Sequence, residues 1–176
     1  RCLPFDCRRM RRSCILRRGR WLKWMPRRSW HVIMNAVIDV NVALPLILEQ
    51  HSHRAVASAW WSEQPDQSVV FTLPVRMAML RLLTNRSLMG GGVLKPEQAW
   101  GVMAALLADA RSVVRNDAPA GLDPYWISMV RGRDPSPNLW TDAWLAAFAE
   151  AEGMQMVTFD RDFRQFSLSH LRLLTA

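Results

Sequence analysis

Three aspartates stand where apolar stretches of this chain begin or end. Asp39 and Asp160 each follow a short apolar run, and Asp142 lies at the start of an alanine-rich stretch. An unpaired carboxylate is costly at the edge of a core, so such a charge usually has a partner. Three of them, drawn from both ends of the chain, suggest a pocket that holds one divalent cation. Mg²⁺ or Mn²⁺ suits carboxylate oxygens and retains several waters, and it can activate a water against a phosphate.

Each acid also has a purely structural interpretation. Asp142 is placed to begin a helix, where the helix dipole favours a negative charge. Asp160 lies in a run with Arg161 and Asp162 that is typical of a solvated turn. Asp39 is the hardest to explain in this way, because it follows three apolar residues. Whether Asp162 joins the site stays open.

The chain from Met34 onward alternates short apolar runs with amphipathic stretches. We predict strands over Asn35–Asp39, Ser68–Thr72, Ser112–Arg115, Met154–Thr158 and Leu171–Leu174. We predict the main helices over Val42–Glu49, Pro74–Leu83, Glu97–Ala108, Tyr125–Val130 and Thr141–Glu152. This alternation predicts an α/β fold whose mainly parallel sheet is covered on both faces. Ligands in such sheets bind outside the carboxyl ends of the strands, which is where Asp39 and Asp160 lie.

Several other residues have less specific interpretations. The glycines Gly90–Gly92 are predicted to form a loop, and they lack the Gly-Lys-Ser/Thr that completes a phosphate-binding P-loop. His51 and His53 are interpreted as ordinary residues at a helix edge. Arg131 and Arg133 are either solvated loop charges or residues that face a phosphate backbone.

Composition separates the first 33 residues from the rest of the 176-residue chain. Half of all residues are hydrophobic and 22% are charged, which is typical of one globular domain. The net charge is +8, yet residues 1–33 hold 11 of the 23 Lys and Arg and a single acid, Asp6. The remaining residues carry 12 bases and 14 acids. The basic character therefore belongs to an arm, and residues 34–176 form the predicted domain.

We interpret the arm as disordered or non-native sequence, with translation beginning at Met34. The alternative is a nucleic-acid-binding arm that uses Arg together with Trp21, Trp24 and Trp30. All three cysteines, Cys2, Cys7 and Cys14, lie in it and match no common zinc spacing. No apolar run is long enough for a membrane span, and the arm lacks the apolar core of a secretory signal. We therefore expect a cytoplasmic protein.

The motifs together resemble the PIN-domain ribonucleases, and more narrowly the VapC toxins of type II toxin–antitoxin systems. The resemblance covers Asn35 to about Leu174. The segments that carry it are Asp39 with Asn41, Thr141–Ala143, Val157–Phe163, Leu80–Asn85 and Gln98–Trp100. It implies a three-layer α/β/α fold and Mg²⁺- or Mn²⁺-dependent cleavage of RNA by an activated water. It also implies a cognate VapB-type antitoxin that inserts a segment near the active site.

The resemblance also implies roles for individual residues. Asp39, Asp142 and Asp160 match the metal-binding, catalytic acids of the family, and Asn41 and Thr158 match the polar residues that support them. A fourth acid is common near the start of the helix predicted over Pro74–Leu83, where this chain has an arginine.

That arginine, Arg76, supports an alternative function. Its fixed positive charge would oppose a nearby cation, so the chain could be a catalytically silent PIN-like module that binds antitoxin or RNA. A third hypothesis is a general nucleic-acid-binding protein that acts through the arm. The tryptophan-rich stretch Val56–Trp61 is a possible homodimer interface.

Overall fold

Five short parallel strands form the centre of the part of the chain that the computed structural model describes, residues 35–175. The interpretations of residues 1–33 and of Met34 lie outside that range. In chain order the strands are β1 (Ala36–Ile38), β2 (Val69–Thr72), β3 (Ser112–Arg115), β4 (Gln155–Thr158) and β5 (Leu171–Leu173). Their order across the sheet is β3-β2-β1-β4-β5, with every pair parallel. All five strands agree with the sequence prediction to within one or two residues at each end.

Helices flank this sheet and give the expected three-layer α/β fold. Within the described residues they are α1 (Val40–Ile47), α2 (Arg54–Ser62), α3 (Leu73–Leu83), α4 (Arg86–Met89), α5 (Pro96–Leu107), α6 (Leu122–Val130) and α7 (Leu139–Ala151). Helices α1, α3 and α5 pack side by side, whereas α7 packs on β1 and β4 with α6 against it. No helix in residues 35–175 combines the length and apolar character needed to cross a membrane.

Burial on both faces explains why the central strands are continuous apolar runs. Val37 and Ile38 of β1 and Val157 of β4 are completely buried, as expected for strands of a parallel sheet. The alanines of α7 that face the core, among them Ala143 and Ala147, are also completely buried. Small side chains let this helix lie close to the sheet, which brings its first turn near the strand ends.

The start of α1 differs from the prediction. The helix begins at Val40, and Asp39 is its N-cap, with its side chain accepting a hydrogen bond from the Val40 backbone N–H at 2.6 Å. Pro45 therefore lies in the second turn and not in the first. Because proline has no N–H, the Asn41 carbonyl loses its usual helical donor there.

Three short elements were not predicted, namely α4 and two 3₁₀ segments. The glycines Gly90–Gly92, predicted to be a loop, form a single 3₁₀ turn after α4. A longer 3₁₀ helix, Arg161–Phe166, follows Asp160, and its Phe163 and Phe166 side chains are buried. The run after β4 is therefore an ordered helix that contributes to the core, and not a free turn.

The tryptophans of α2 also differ from expectation. Trp60 is only 2% exposed and belongs to the main core, and Trp61 packs against the same core with its ring edge toward Phe71. These side chains are used inside the domain, so the suggestion that they form a homodimer interface is wrong for Trp60. The large exposed apolar side chains lie elsewhere, for example Met77 on α3 and Trp140 on α7.

Candidate active site

The ends of β1 and β4 place the first two acids at the same edge of the sheet. These strands are neighbours in parallel register, with Ile38 opposite Val157. The Asp39 backbone N–H continues the ladder by donating to the Val157 carbonyl at 3.1 Å. Because β4 ends at Thr158, Asp160 lies just beyond the same edge. The sequence prediction that Asp39 and Asp160 converge required their two strands to be neighbours, and β1 and β4 are neighbours.

One buried hydroxyl connects the residues at this edge. The Thr158 side chain is completely buried, and its Oγ1 donates to Asp39 Oδ2 at 3.0 Å. The same oxygen accepts from Asn41 Nδ2 at 3.0 Å and from the Asp160 backbone N–H at 2.9 Å. Asn41 Oδ1 in turn accepts from the Phe159 backbone N–H at 3.1 Å. Asn41 and Thr158 therefore hold the segment after β4 against the start of α1.

Asp160 is fixed by the helix that follows it. It is the N-cap of the 3₁₀ helix, with Oδ1 accepting from the Asp162 backbone N–H at 2.8 Å. This bond occupies one carboxylate oxygen with a neutral donor and leaves the charge uncompensated. Asp160 therefore serves as a structural cap and does not lie in the solvated turn that the sequence suggested, while among the described residues no hydrogen bond engages its Oδ2.

Asp142 approaches the other acids from the first turn of α7. Burial raises the pKa of its carboxyl to about 7, and the negative charges of Asp39, Asp160 and Asp162 contribute to the increase. Burial also raises the pKa of Asp39 to about 6, against the lowering effect of the Thr158 hydrogen bond, and Asp160 raises it further. These carboxyls are therefore close enough to repel one another. Asp162, left open by the sequence, contributes to this field.

The acids have no cationic partner among the described residues. Ion pairs within 35–175 join Arg111 to Asp109, Arg115 to Glu152 and Arg172 to Glu63, all elsewhere. In the same range no three His, Cys, Asp or Glu side chains are grouped closely enough to hold one metal ion. Close carboxylates without a counter-ion suit a hydrated ion such as Mg²⁺, which keeps several waters and needs only one or two direct carboxylates. The shared site of Asp39, Asp142 and Asp160 stays a prediction.

Arg76 lies in the first part of α3 and turns toward the far side of the sheet. Its guanidinium Nη1 donates to Asn116 Oδ1, and Asn116 directly follows β3. Since β2 separates β3 from β1, this contact directs the charge away from the end of β1, where Asp39 lies. Within residues 35–175 Arg76 forms no ion pair with any acid. It does not act as a built-in counter-ion.

Two supporting residues were not recognised from the sequence. The His53 ring stacks on Phe159, with ring centres 4.2 Å apart and planes 16° apart. Arg133 donates from Nε to the Met129 carbonyl and from Nη2 to the Gln165 carbonyl, so it ties the end of α6 to the 3₁₀ helix. Both contacts join segments far apart in the chain, and no local pattern signals them.

Comparisons with known proteins give matches over most of the described residues. A family model described as PIN domain matches residues 36–167. Ribonuclease VapC41 of Mycobacterium tuberculosis is 37% identical over 140 residues, which cover 77% of this chain and 96% of that protein. Ribonuclease VapC31 of the same species is 29% identical over 140 residues, with the same coverage of each chain.

Solved structures show the same fold at low sequence identity. Mycobacterium tuberculosis VapC20, a toxin that cleaves the sarcin–ricin loop, gives a TM-score of 0.56 at 20% identity. The match covers 78% of this chain and 99% of that one. VapBC2 from Rickettsia felis, solved bound to a DNA fragment from its promoter, gives a TM-score of 0.57 at 16% identity. That match covers 81% of this chain and 100% of that one.

Proposed function

This chain belongs to the PIN-domain family, and within it to the VapC ribonucleases, and on that premise we propose that it is a metal-dependent endoribonuclease toxin. It hydrolyses RNA phosphodiester bonds, and Asp39, Asp142 and Asp160 are the acids that hold Mg²⁺ or Mn²⁺. The relatives named as ribonucleases support the reaction, and the chain spans nearly their whole length.

The observation that carries this proposal is the hydrogen-bond network at the ends of β1 and β4, which holds Asp39 and the start of the segment with Asp160 at one edge of the sheet. Thr158 and Asn41 orient Asp39 and the backbone N–H groups of Phe159 and Asp160 through hydrogen bonds of 2.9–3.1 Å. A bound Mg²⁺ or Mn²⁺ would offset the repulsion among the acids and supply an activated water and positive charge facing a phosphate. A carboxyl group can bind the ion only after it has lost its proton. Because the pKa values of Asp39 and Asp142 are raised to about 6 and about 7, we expect that deprotonation near neutral pH in the absence of metal.

The direct test is RNA cleavage by the purified protein with Mg²⁺ or Mn²⁺ and with chelator. We expect cleavage with metal, none with chelator, and none with metal for Asp39→Asn, which keeps the shape of the side chain and removes its charge. Asp123→Asn is the matched control, because Asp123 is an exposed acid in the first turn of α6. An Asp39→Asn protein that cuts as fast as its parent would show that the proposed site is wrong.

The silent-module alternative depends on Arg76. The contact with Asn116 gives no support to it, since the guanidinium lies toward β3. A parent protein that does not cut RNA, with cleavage restored by Arg76→Gln or Arg76→Glu, would establish the alternative. Equal activity of the parent and Arg76→Gln is the outcome expected of the nuclease.

We propose further that a VapB-type antitoxin inhibits the enzyme in the cytoplasm. An apolar groove of about 320 Å³ between α3 and α7 supports this, because it is lined by Met77, Arg81 and Thr141 and so adjoins Asp142. Met77 and the nearby Trp140 on α7 are 62% and 58% exposed. A short gene for a DNA-binding protein beside this one, whose product co-purifies with it and stops cleavage, is the result expected.

A further inference from the structure

A cleft of about 570 Å³ opens beside the candidate acids. Two segments line it, the connection between α6 and α7 and the 3₁₀ helix that follows Asp160. The side chains that bear on its chemistry are Arg133, Asp134, Ser136, Arg161, Asp162 and Gln165. Its volume lies within the roughly 300–1,000 Å³ typical of small-ligand sites. The cleft can therefore enclose a small group of a larger substrate.

The cleft is lined by chain neighbours of two of the candidate acids. Arg161, on its wall, directly follows Asp160, and Leu139, also on its wall, begins the helix whose first turn carries Asp142. Asp162 lines the cleft, and its charge is one of those that act on Asp142. A ligand group in the cleft would therefore lie next to any phosphate held at the acids.

Arg133 supplies a fixed positive charge in this wall. Its bonds go to the backbone carbonyls of Met129 and Gln165 and, at 3.4 Å, to the Gln165 side-chain Oε1. Its guanidinium lies over the Phe166 ring at 5.1 Å. These partners are neutral, and within residues 35–175 no carboxylate pairs with it. The charge is thus held in place without being neutralised. A preorganised cation loses little side-chain entropy when an anion arrives.

Arg161 supplies a second, uncommitted charge. The residue is exposed, and in the described part of the chain its side chain forms no hydrogen bond or ion pair. A guanidinium can bind a phosphate through two parallel hydrogen bonds. Arg161 directly follows Asp160 in the chain and lines the cleft, so a phosphate that enters the cleft near the acids lies within its neighbourhood.

The polar groups between the two arginines favour a ribonucleotide over a simple anion. The carboxylates of Asp134 and Asp162 offset the charges of the two arginines, so the formal net charge of the cleft is close to zero. The cleft is therefore not a uniformly basic groove for a long phosphate backbone. A carboxylate can accept a hydrogen bond from a ribose 2′-hydroxyl, and the Ser136 hydroxyl and Gln165 amide can pair with base or sugar edges. Phosphate, sugar and base are thus each matched by a group in the cleft.

We propose that this cleft binds the substrate nucleotide next to the cleaved bond, with Arg161 contacting its phosphate and Arg133 providing the fixed charge behind it. The inference rests on the proposed ribonuclease function for the identity of the ligand, single-stranded RNA. It assigns Arg161 as a binding residue and Arg133 as a positioning residue.

Binding of a short labelled single-stranded RNA, measured by anisotropy in chelator, tests this without requiring cleavage. We expect Arg161→Ala to weaken binding and to reduce the slope of log affinity against log salt by about 0.7, the value for one phosphate contact on a single strand. Arg161→Lys should keep the slope, because it keeps the charge. Arg164→Ala is the matched control, since Arg164 is an exposed arginine in the same 3₁₀ helix outside the cleft lining.

Two results would overturn the proposal. One is an Arg161→Ala protein whose affinity and salt slope equal those of the parent. The other is an equal loss in Arg164→Ala, which would show general surface attraction and no specific cleft. Failure of the proposed nuclease function would give a different result. The parent would not cut RNA in Mg²⁺, but the difference in RNA affinity between the parent and Arg161→Ala in chelator would remain.

Discussion

At the scale of single residues, Asp142 has the larger of the two raised carboxyl pKa values. Its pKa of about 7 in the folded protein compares with an ordinary aspartate pKa of 3.8. The unfolded chain therefore loses this proton near pH 4, whereas the folded chain keeps it to about pH 7. Stability that is present below pH 4 is lost as the pH rises through 7. Without metal, the charged Asp142 should destabilise the fold at neutral and alkaline pH.

Asp142→Asn is therefore expected to stabilise the metal-free protein. The shift corresponds to at most about 4 kcal/mol, and partial exposure of the group reduces this to on the order of 1–2 kcal/mol at pH 8. The gain should shrink toward zero as the pH falls to 4, where the parent is protonated as well. Thermal unfolding in chelator across this pH range measures it.

The control for this change is Asp123→Asn, which removes an exposed acid from an equivalent helix position. It should bring no comparable gain at pH 8. An Asp142→Asn protein that is no more stable than the parent at pH 8, or equally stabilised at pH 4 and pH 8, would contradict the electrostatic origin of the effect. Added Mg²⁺ should stabilise the parent more than the variant.

At the scale of elements, the central strands were predictable because both of their faces are buried. Runs such as Val69–Thr72 and Gln155–Thr158 are mostly apolar and buried, and each follows a segment with helical pattern. The start of α1 was missed because Asp39 ends a strand and caps a helix at once, with no turn between them. The 3₁₀ helix was missed as well, although buried Phe163 and Phe166, three residues apart, have the spacing of such a helix.

The site was predictable only in part, for the same physical reason. Asp39, Asn41, Thr158 and Asp160 were singled out because each lies near a strand end within a short motif, and hydrogen bonds join them in the structure. The contact of His53 with Phe159 depends on how α2 packs beside the end of β4. Such packing follows from the whole fold and leaves no mark in the neighbouring sequence.

The stacking of His53 on Phe159 gives a prediction for the residue that precedes α2. Phe159 donates its backbone N–H to Asn41, and it directly precedes Asp160, so loss of the stacked ring should loosen the acid. We expect His53→Ala to lower kcat by about tenfold, as for loss of a supporting residue around a metal, and stability by on the order of 1 kcal/mol. Affinity for RNA in chelator should stay unchanged.

The conservative variant separates stacking from imidazole chemistry. His53→Phe keeps an aromatic ring against Phe159 and should restore most of the kcat lost in His53→Ala. His170→Ala is a control at an exposed histidine beside β5. If His53→Phe is as slow as His53→Ala, an imidazole nitrogen and not the ring face is what matters.

At the scale of the whole molecule, charge and fold are separated along the chain. Residues 1–33 carry 11 Lys and Arg against one acid, whereas the PIN-domain match spans residues 36–167, where acids and bases nearly balance. Attraction to RNA through the first segment would be general and salt-dependent, because it comes from phosphate neutralisation. Cleavage, in contrast, should depend on the acids of the domain.

Removal of residues 1–33 tests this separation. We expect the protein that begins at Met34 to cut a short RNA in saturating Mg²⁺ with unchanged kcat and to remain inactive with Asp39→Asn. Its RNA affinity in chelator should become weaker and less sensitive to salt, because each lost phosphate contact removes about 0.7 from the slope for a single strand. The variant in which the 11 bases become Gln, at full length, controls for chain length. The contradicting result is a shortened protein that no longer cuts RNA although its fold and melting temperature are unchanged. That result would show that cleavage requires the basic arm in addition to the acids.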